Sequence, residues 1–372
     1  MKLSRVGTSV AFSAIAALAL AGCAGGGSDA GETAAATGNE GGASSSLSGT
    51  LSATGASSQG TAQNEAWVPG FQSENNGVTV NYTGEGSGPG RDNFVAGTSD
   101  FIGSDRAFKT EEIAEGKFGS CAEGSALVEF PAYISPIAIG YNLPEVEELN
   151  LDGETLSNIF AGKITKWNDP AIAKLNEGVE LPDTAINAVH RGDESGTTGN
   201  FLKYLEAAAP EAWTYGTEDA FPSDLGGEAA DKTGGVAQAI AAGEGSIGYL
   251  DASAATELQT AKVKSGEDFV AYTPEAAAAV VAGSPKAEGR EATDVVYDLD
   301  YTGVEGAYPI VLVSYLIGCQ EYADSAKAEL VKAYFNYVIS PEAQDAAAGV
   351  AGNAPISNEI RSEAQAAIDT IK

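Results

Sequence analysis

Strand and helix patterns alternate along most of this 372-residue chain, and the alternation limits the fold more than any other feature. Such alternation is typical of α/β domains with mostly parallel sheets. From residue 47 onward the chain is too long for one compact core and long enough for two lobes. The predicted strands are residues 77–82, 101–103, 186–189 and 247–250, and the predicted helices include residues 155–160, 236–242 and the segments that end at Phe94 and Leu205.

Two longer strand patterns are predicted to connect the lobes. Residues 128–141 form an apolar run interrupted by Pro131 and Pro136, which indicates a strand that passes from one lobe to the other. Residues 308–316 are strongly β-forming and predict the returning crossover. Near the C-terminus, Ser340 followed by a proline predicts the cap of a last helix.

The N-terminus predicts export. Lys2 and Arg5 precede an uncharged apolar run at residues 10–21. This run is too short to span a bilayer and fits a secretory signal, so residues 1–22 are predicted to be removed. Small residues directly precede Cys23 and resemble a bacterial lipobox, in which the cysteine is lipidated and becomes the first residue of the mature protein. The alternative is an ordinary signal peptide that contains a cysteine.

The segment after Cys23 predicts a tether. Residues 24–46 consist of Gly, Ala, Ser, Thr, one Asn and a few acids, with no large apolar side chain to offset the entropy of ordering. Residues 23–46 are therefore predicted to be a lipid-anchored disordered linker that holds the folded part about 25 Å from the lipid. The folded part is predicted to begin near Leu47.

The charge balance is strongly acidic. There are 20 Lys and Arg residues against 52 Asp and Glu residues, a net charge of −32, and removal of Lys2 and Arg5 with residues 1–22 makes it −34. A surface of this sign disfavours nucleic acid and anionic lipid as partners. It does not exclude an anion in a cleft, because bulk charge is screened over about 8 Å and the local hydrogen-bond donors dominate.

The remaining cysteines and the single histidine limit the chemistry. With Cys23 lipidated, Cys121 and Cys319 are left in an oxidising compartment, where a disulfide is expected and two buried free thiols are the alternative. His190 is the only histidine and the ligand types are not clustered, so no metal site is predicted. His190 is interpreted as the end of a strand without a catalytic role.

One loop has the composition of an anion site at the start of a helix. Backbone N–H groups and the helix dipole favour a negative ligand there, Ser195 and Thr197 add hydroxyl donors, and Gly196 lets a ligand approach the backbone. Arg191 can donate to two oxygens at once, with Asp193 placed to hold the guanidinium. A capped helix after a tight turn is the alternative. The loop reads Arg191-Gly192-Asp193-Glu194-Ser195-Gly196-Thr197-Thr198.

A second loop has the same form. Residues 84–90 surround Ser87 with glycines between a predicted strand and a short helix. Its glycine spacing does not match the dinucleotide fingerprint, and the loop at residues 191–198 lacks the Gly-Lys-Ser/Thr of a P-loop. Nucleotides are therefore not the predicted ligands of either loop.

Asp105 follows Ser104 at the end of a predicted strand. A carboxylate near an anion is repulsive unless the anion carries a proton that it can donate. Phosphate near neutral pH carries such a proton and sulfate does not. A buried acceptor of this kind rejects an analogue that lacks the hydrogen by about 10⁴–10⁵-fold. A turn or helix cap is the alternative role for Asp105.

Four motifs, in order along the chain, carry a resemblance to a known family. Together they closely resemble the phosphate-specific substrate-binding proteins of bacterial ABC phosphate importers, from about Leu47 to the C-terminus. The motifs are Gly84-Glu85-Gly86-Ser87-Gly88, Asp100-Phe101-Ile102-Gly103-Ser104-Asp105, Leu156-Ser157-Asn158-Ile159-Phe160-Ala161-Gly162-Lys163-Ile164-Thr165-Lys166-Trp167-Asn168-Asp169-Pro170 and the loop from Arg191 to Thr198.

The resemblance implies a set of ligand contacts. The family's first loop, usually Gly-Ala-Gly-Ala-Thr-Phe, is replaced here by residues 53–59. Counting back from Trp67 favours Ser58 with Gln59 as the matching pair, and Ser57 is the alternative. Asp193 is implied to orient Arg191. The implied phosphate contacts are Ser58, Gln59, Ser87, Asp105, Arg191, Ser195, Gly196 and Thr197.

The resemblance also implies the fold and the partners. The family has a two-lobed type II periplasmic-binding-protein fold with two hinge crossovers, here residues 47–136 and 303–372 for lobe I and residues 137–302 for lobe II. Cys121 and Cys319 then fall in the same lobe, which agrees with a disulfide. The expected partners are inorganic phosphate and the permease and ATPase subunits of an importer. We expect an extracytoplasmic monomer, attached to the membrane by lipid only, with no cofactor.

Three other functions remain as alternatives. The first is a receptor for another oxyanion such as sulfate or molybdate, and the second is a sensor or adhesin with the same fold. The third is an anchored phosphatase that uses a serine. Against the phosphatase, no Gly-x-Ser-x-Gly elbow surrounds Ser87 or Ser195 and no metal cluster accompanies them, so no catalytic residue is predicted.

Overall fold

The computed structural model of the protein describes residues 47–372. The predicted signal peptide, the linker and the lipidation site at Cys23 lie outside the described residues. Among residues 47–372, no helix is long and apolar enough to cross a membrane.

Within residues 47–372 the chain forms an alternating series of helices and strands. The strands are β1 (Ser48–Gly55), β2 (Gly77–Thr83), β3 (Phe101–Ser104), β4 (Leu127–Tyr141), β5 (Asn150–Leu151), β6 (Asn187–Arg191), β7 (Glu228–Ala230), β8 (Ser246–Asp251), β9 (Gln259–Thr260), β10 (Lys262–Ser265), β11 (Asp268–Val270) and β12 (Val311–Cys319). The α-helices are α1 (Val68–Glu74), α2 (Ser87–Ala96), α3 (Thr110–Glu115), α4 (Gly153–Phe160), α5 (Pro170–Leu175), α6 (Gly196–Ala208), α7 (Lys232–Ala242), α8 (Pro274–Gly283), α9 (Ser325–Val338), α10 (Pro341–Ala351) and α11 (Asn358–Asp369), with a π-helical segment at Ala62–Trp67 and a 3₁₀ turn at Ala252–Ala254.

The long strand β4 joins two halves of one curled sheet, whose strand order is β2-β1-β3-β12-β4-β8-β6-β7. Residues 127–136 of β4 pair with β12, and residues 137–141 pair with β8. The first lobe contains β1 to β3, β12 and the start of β4, and the second contains the end of β4 with β8, β6 and β7. The predicted two-lobed α/β fold with two crossover strands is confirmed; the exact boundary residues stay predictions.

The expectation of mostly parallel sheets is only partly correct. β1 runs parallel to β2 and β3, and β6 runs parallel to β7 and β8. The crossover strand β12 is antiparallel to β3 and β4, and β4 is antiparallel to β8. The reason is that one crossover leaves the first lobe and the other returns to it, so these neighbours must run in opposite directions.

Two details near the C-terminus differ from the sequence analysis. The return strand runs from Val311 to Cys319 and therefore starts and ends three residues later than expected. Ser340 caps α10 as predicted, with its Oγ accepting a hydrogen bond of 3.2 Å from the Ala343 N–H. That helix is not the last one, because α11 follows it.

The sequence analysis did not identify β1, which lies in the interior of the sheet between β2 and β3.

The disulfide links distant parts of the first lobe. Cys121, after α3, is bonded to Cys319 at the end of β12, at a sequence separation of 198 and with 5.3 Å between their Cα atoms. The predicted pairing is therefore confirmed. The bond closes the first lobe across the point where its two sequence segments meet.

Asp251 lies where β4 changes partner from one lobe to the other, opposite Ile137. It is fully buried, and its Oδ1 accepts hydrogen bonds of 3.0 Å from Tyr133 Oη and the Ser253 N–H. Its Oδ2 has no hydrogen-bond partner in the described part of the chain. Burial raises the pKa of Asp251 to about 6, although the hydrogen bonds from Ser253 and Tyr133 oppose the rise.

This burial predicts a pH dependence of stability that Asp251→Asn removes. A raised pKa favours the protonated form in the folded state, so the stabilisation is present at low pH and is lost as the pH rises through about 6. From about pH 5 to about pH 7.5, the free energy of unfolding of the variant should gain about 1.4 kcal/mol relative to wild type. Urea denaturation at both pH values measures this, with the exposed Asp92→Asn as control. If the difference in unfolding free energy between Asp251→Asn and wild type does not change with pH, the raised pKa of Asp251 is contradicted.

Candidate functional site

Asp105 is the centre of a buried cluster of hydroxyl groups from both lobes. Asp105 directly follows β3, and the whole residue is only 3 % exposed. Its Oδ1 accepts hydrogen bonds of 2.6 Å from Ser58 Oγ and from Ser314 Oγ, and its Oδ2 accepts one of 3.2 Å from Thr197 Oγ1. Ser58 lies in the same lobe because β1 and β3 are parallel and end at the same edge. Thr197 reaches Asp105 from α6 of the second lobe.

Gln59 sets the direction of the Ser314 hydroxyl. The Gln59 Nε2 donates to Ser314 Oγ at 2.7 Å, so the hydroxyl hydrogen of Ser314 is available to Asp105. The amide of Gln59 is itself fixed, because its Oε1 accepts from Gln63 Nε2 at 3.0 Å. Tyr334 Oη donates to Gln63 Oε1 at 2.6 Å and completes the chain of buried groups. The network holds the Asp105 environment in one arrangement.

Ser87 is the first residue of α2, and its Oγ accepts a hydrogen bond of 3.1 Å from the backbone N–H of Asp105. The preceding residue has to be glycine for two reasons. Gly86 has a φ of 116°, which L side chains rarely adopt, and a Cβ there would lie 3.0 Å from Asp193 Oδ2 of the other lobe. The loop before α2 can therefore contact the loop after β6.

Arg191 is the last residue of β6 and is held by Asp193. Its Nε donates to Asp193 Oδ1 at 2.6 Å, and its Nη2 donates to Asp193 Oδ2. The backbone N–H of Lys232 also donates to Asp193 Oδ1, at 3.0 Å. Burial alone would raise the pKa of Asp193, but the hydrogen bonds and charge of Arg191 bring that pKa below its ordinary value. The guanidinium is thus positioned by a carboxylate that stays ionised.

The N-terminus of α6 packs directly against Asp105. Ser195 caps this helix, with its Oγ accepting from the Thr197 N–H at 3.2 Å, and its own N–H donates to the Asp219 backbone oxygen at 2.8 Å. Gly196 is required at the first helical position, because a Cβ there would lie 2.5 Å from the Cβ of Asp105. The small residue lets the positive end of the helix dipole approach the carboxylate.

The pKa of Asp105 is raised from its ordinary value, and burial is the main cause. The hydrogen bonds from Ser314, Ser58 and Thr197 and the charge of Arg191 lower it and partly offset the burial. The charge of Arg191 therefore acts on the same carboxyl group that receives hydroxyl donors from both lobes. A carboxylate in this setting gains from a further hydrogen-bond donor.

Asp219 forms buried ion pairs across the cleft between the lobes. From the second lobe, its Oδ2 accepts from Arg91 Nη2 at 2.7 Å and from Arg106 Nε at 2.9 Å, both in the first lobe. The side chains of Asp219 and Arg91 are only 10 % and 6 % exposed. Arg91 also donates to Ser104 Oγ at 3.1 Å, and Arg106 pairs with Glu112 at 2.7 Å. The segments that carry Ser87 and Asp105 are thus both attached to the second lobe.

Weaker contacts join the lobes at the edge of the cleft. The hydroxyl groups of Ser57 and Thr233 lie 3.1 Å apart, and Lys232 Nζ pairs with Glu85 at 2.7 Å with both side chains substantially exposed. Lys232 is the non-glycine residue with positive φ, 63°, in the described part of the chain. The two lobes are therefore in contact from the edge of the cleft to its interior.

The sequence-predicted residues occupy one region, although their role as ligand contacts stays a prediction. Ser57 faces Thr233 and has no hydrogen bond to Asp105 in the described part of the chain, whereas Ser58 bonds to Asp105 directly. The choice between Ser58 and Ser57 as a ligand contact stays a prediction. Around Asp105 and the contacting loops lie Ser58, Gln59, Ser87, Arg191, Asp193, Ser195, Gly196 and Thr197.

Sequence reasoning missed Ser314 and Asp219. Ser314 stands inside the apolar strand β12, where a single serine gives no signal of its own. Asp219 lies in an irregular segment between α6 and β7, and nothing in its local sequence indicates two arginine partners from the other lobe. Both contacts depend on pairs more than one hundred residues apart.

His190 is the fourth of the five residues of β6, so the strand ends one residue later than expected. Its ring stacks on Phe221, with 4.1 Å between the ring centroids, and its Nδ1 lies 2.9 Å from the Arg191 backbone oxygen. Among the described residues, no group of three or more His, Cys, Asp or Glu side chains could hold a metal ion.

The fold and this cleft define a two-lobed binding protein, and comparisons with known proteins agree. A family model described as a PBP superfamily domain matches residues 40–342. The phosphate-binding protein PstS 3 of Mycobacterium tuberculosis is 38% identical over 384 residues, covering 100% of both chains.

Solved structures share the fold. A high-affinity periplasmic phosphate-binding protein bound with phosphate has a TM-score of 0.69 at 21% identity, covering 86% of this chain and 93% of its own. A putative phosphate ABC transporter substrate-binding protein from Clostridium perfringens, with bound phosphate, has a TM-score of 0.59 at 20% identity, covering 83% of this chain and 100% of its own.

The chain belongs to the PstS family of the PBP superfamily. Its full-length relatives are named phosphate-binding proteins, which disfavours the hydrolase alternative.

The buried ion pairs predict that Asp219 keeps the lobes together. Asp219→Asn leaves Arg91 and Arg106 without the charge that they share, and removing one member of a buried pair costs about 3–5 kcal/mol. Segments 104–106 and 195–197, which are buried against each other, should then exchange their backbone hydrogens about tenfold faster or more. Hydrogen–deuterium exchange of the full chain measures this.

The neighbouring Glu218→Gln is a matched control. Glu218 also bridges to the first lobe, at 3.3 Å from Lys109 Nζ, but its side chain is 78% exposed. Exposed pairs contribute little, so exchange should be unchanged in this variant. Equal exchange in both variants and wild type would show that Asp219 does not hold the lobes together.

Proposed function

We propose that this protein captures inorganic phosphate between its lobes and delivers it to a membrane importer. The observation that supports the proposal best is Asp105, a buried carboxylate surrounded by hydroxyl groups from both lobes and acted on by the charge of Arg191. The full-length relatives are named phosphate-binding proteins, and a structure with the same fold is described with bound phosphate.

The ligand is held by donors at helix starts and by one arginine. In the first lobe, the backbone N–H groups of Ser58 and Gln59 have no acceptor among residues 47–372 and are free to donate. In the second lobe, Arg191 contributes a guanidinium that Asp193 keeps oriented. The contacts we assign to phosphate are Ser58, Gln59, Ser87, Asp105, Arg191, Ser195, Gly196 and Thr197.

Asp105 selects for an anion that carries hydrogen. Phosphate can donate its hydrogen to the Asp105 carboxylate and so turn a repulsive contact into a charge-assisted hydrogen bond. Sulfate has no hydrogen to donate near neutral pH, so it would place two negative groups together in a buried site. The remaining donors would then face a ligand that Asp105 repels.

Binding and closure are the same event in this mechanism. Donors from both lobes meet one dianion, so the ligand stabilises the closed arrangement over an open one by the contacts that only the closed form makes. Arg91, Arg106 and Asp219 add ion pairs between the lobes, which separation of the lobes would break. An importer can then distinguish the loaded protein by its closed shape.

The N-terminal sequence supports a proposal about location. We propose that Cys23 carries lipid, that residues 23–46 are the tether and that the protein is an extracytoplasmic monomer facing the permease and ATPase subunits of an ABC importer. The strongly acidic composition, 52 Asp and Glu against 20 Lys and Arg, keeps such a tethered protein away from anionic lipid.

Asp105→Asn tests the proposed selectivity. The amide carries no negative charge and its NH2 group adds donors, so the preference for phosphate over sulfate should fall by about 100-fold or more, mostly through weaker phosphate binding and partly through better sulfate binding. Calorimetric titration of both anions into the full chain measures the ratio.

Asp92→Asn serves as the control for charge alone, because this exposed acid lies in α2 of the same lobe. It should leave the ratio at its wild-type value. An unchanged ratio in Asp105→Asn would overturn the role of Asp105. Tighter binding of sulfate or molybdate than of phosphate to wild type would favour a receptor for another oxyanion.

A further inference from the structure

A cavity lies next to the Asp105 cluster, between the two lobes. Its volume is about 210 Å³, and Asp105 and Asn200 form part of its wall. Asn200 connects the cavity to the first site, because its Nδ2 donates to the Asp105 backbone oxygen at 2.8 Å. The cavity is a different space from the first site, because Asp105 is the one residue among the predicted phosphate contacts that lines it.

The cavity has the opposite charge from the rest of the protein. Its wall includes the cations Arg106, Lys109, Lys203 and Arg290, and Asp105 and Asp298 are its acids. Four of the 20 Lys and Arg residues therefore lie around one small space, in a chain with 52 Asp and Glu residues. This concentration of positive charge makes the electrostatic potential in the cavity more positive than the average over the protein surface, which favours an anion.

Two of the cations already pair with nearby carboxylates. Arg106 pairs with Glu112 at 2.7 Å and with Asp219 at 2.9 Å, and Lys109 pairs with Glu218 at 3.3 Å. Arg106 and Lys109 therefore shape the wall of the cavity but contribute little unpaired positive charge.

The other two cations have donors to spare. Lys203 has no carboxylate within 4.0 Å among residues 47–372. Arg290 uses only Nη1, which donates to the Phe108 backbone oxygen at 2.7 Å and to Asp294 at 2.9 Å. Its Nε and Nη2 have no acceptor in the described part of the chain, although its side chain is only 14% exposed.

A hydroxyl group adds a neutral donor. Tyr315 is 4% exposed, and its Oη accepts from the Tyr297 N–H at 3.4 Å. The hydroxyl hydrogen has no acceptor among the described residues. An ammonium, a guanidinium edge and a phenol, all with unused hydrogens, are thus found around one interlobe space. That donor set matches a small oxyanion.

We propose that this cavity is a second binding site, for a small inorganic oxyanion. Lys203 and Arg290 supply its charge, and Tyr315 supplies a neutral hydrogen bond. These three groups offer hydrogen bonds without requiring the ligand to carry hydrogen, and the four cations of the wall outnumber its two acids, Asp105 and Asp298. The site therefore takes a fully ionised dianion such as sulfate, which the first site rejects. An anion held here would lie beside the wall of the first site and would bridge α6 of the second lobe to the segments of the first.

Sulfate is therefore the probe that distinguishes the two sites. The full chain receives one equivalent of phosphate to fill the first site, and sodium sulfate is then titrated by calorimetry against a sodium chloride control of equal ionic strength. Wild type should bind one sulfate per chain in a saturable manner, without releasing the phosphate. In Lys203→Gln the sulfate affinity should fall about tenfold or more, because removing an unpaired cation weakens binding of a dianion.

Lys264→Gln is the matched control, since Lys264 lies on β10 away from the cavity and also has no salt bridge among the described residues. It should bind sulfate like wild type. The proposal is wrong if no saturable sulfate binding occurs at this stage, or if Lys203→Gln binds sulfate as well as Lys264→Gln does. A failure of the proposed phosphate function would appear earlier and separately, as an absence of binding when the first equivalent of phosphate is added.

Discussion

A carboxyl group buried from water either takes up a proton or obtains hydrogen bonds that replace its hydration. Asp105 does so with donors from three separate parts of the chain: Ser58 after β1, Ser314 in β12 and Thr197 in α6. Because Thr197 belongs to the second lobe, the local environment of this one side chain depends on how the whole molecule is arranged. The hydrogen bonds around Asp105 are therefore complete only when the two lobes are in contact.

Two strands that run between the lobes hold them next to each other. β4 pairs with β12 over its first ten residues and with β8 over its last five, so both lobes share one continuous strand. The ends of β1, β3 and β6 then point toward the same cleft, and the helices that follow begin there. Ligand sites at the carboxyl ends of parallel strands are common in α/β proteins. Here the crossovers bring the strand ends of the two halves of the sheet together.

Charge is distributed unevenly around that cleft. Arg91 and Arg106 meet Asp219 inside it, Lys232 meets Glu85 at its edge, and further cations line the neighbouring cavity. The excess of acids elsewhere on the chain does not set the local field, because screening over about 8 Å limits the reach of surface charges.

The sequence was sufficient for features that depend on local pattern. The two loops at helix starts, the crossover strand and the cap at Ser340 all follow from short-range physics, and the family motifs placed Asp105 and Arg191 in one site. Ser314 and Asp219 could not be predicted, because their importance arises from partners that only the fold brings near. The antiparallel crossovers were missed for a related reason: strand direction depends on the path of the chain and not on the composition of a strand.

The most direct test of the account is a competition measurement on the wild-type protein. The full chain is loaded with one equivalent of phosphate, and the phosphate released is measured as sulfate is raised to a large excess at neutral pH. The account predicts that the phosphate stays bound, because Asp105 accepts a hydrogen that sulfate does not have. Stoichiometric displacement of phosphate by sulfate would contradict it.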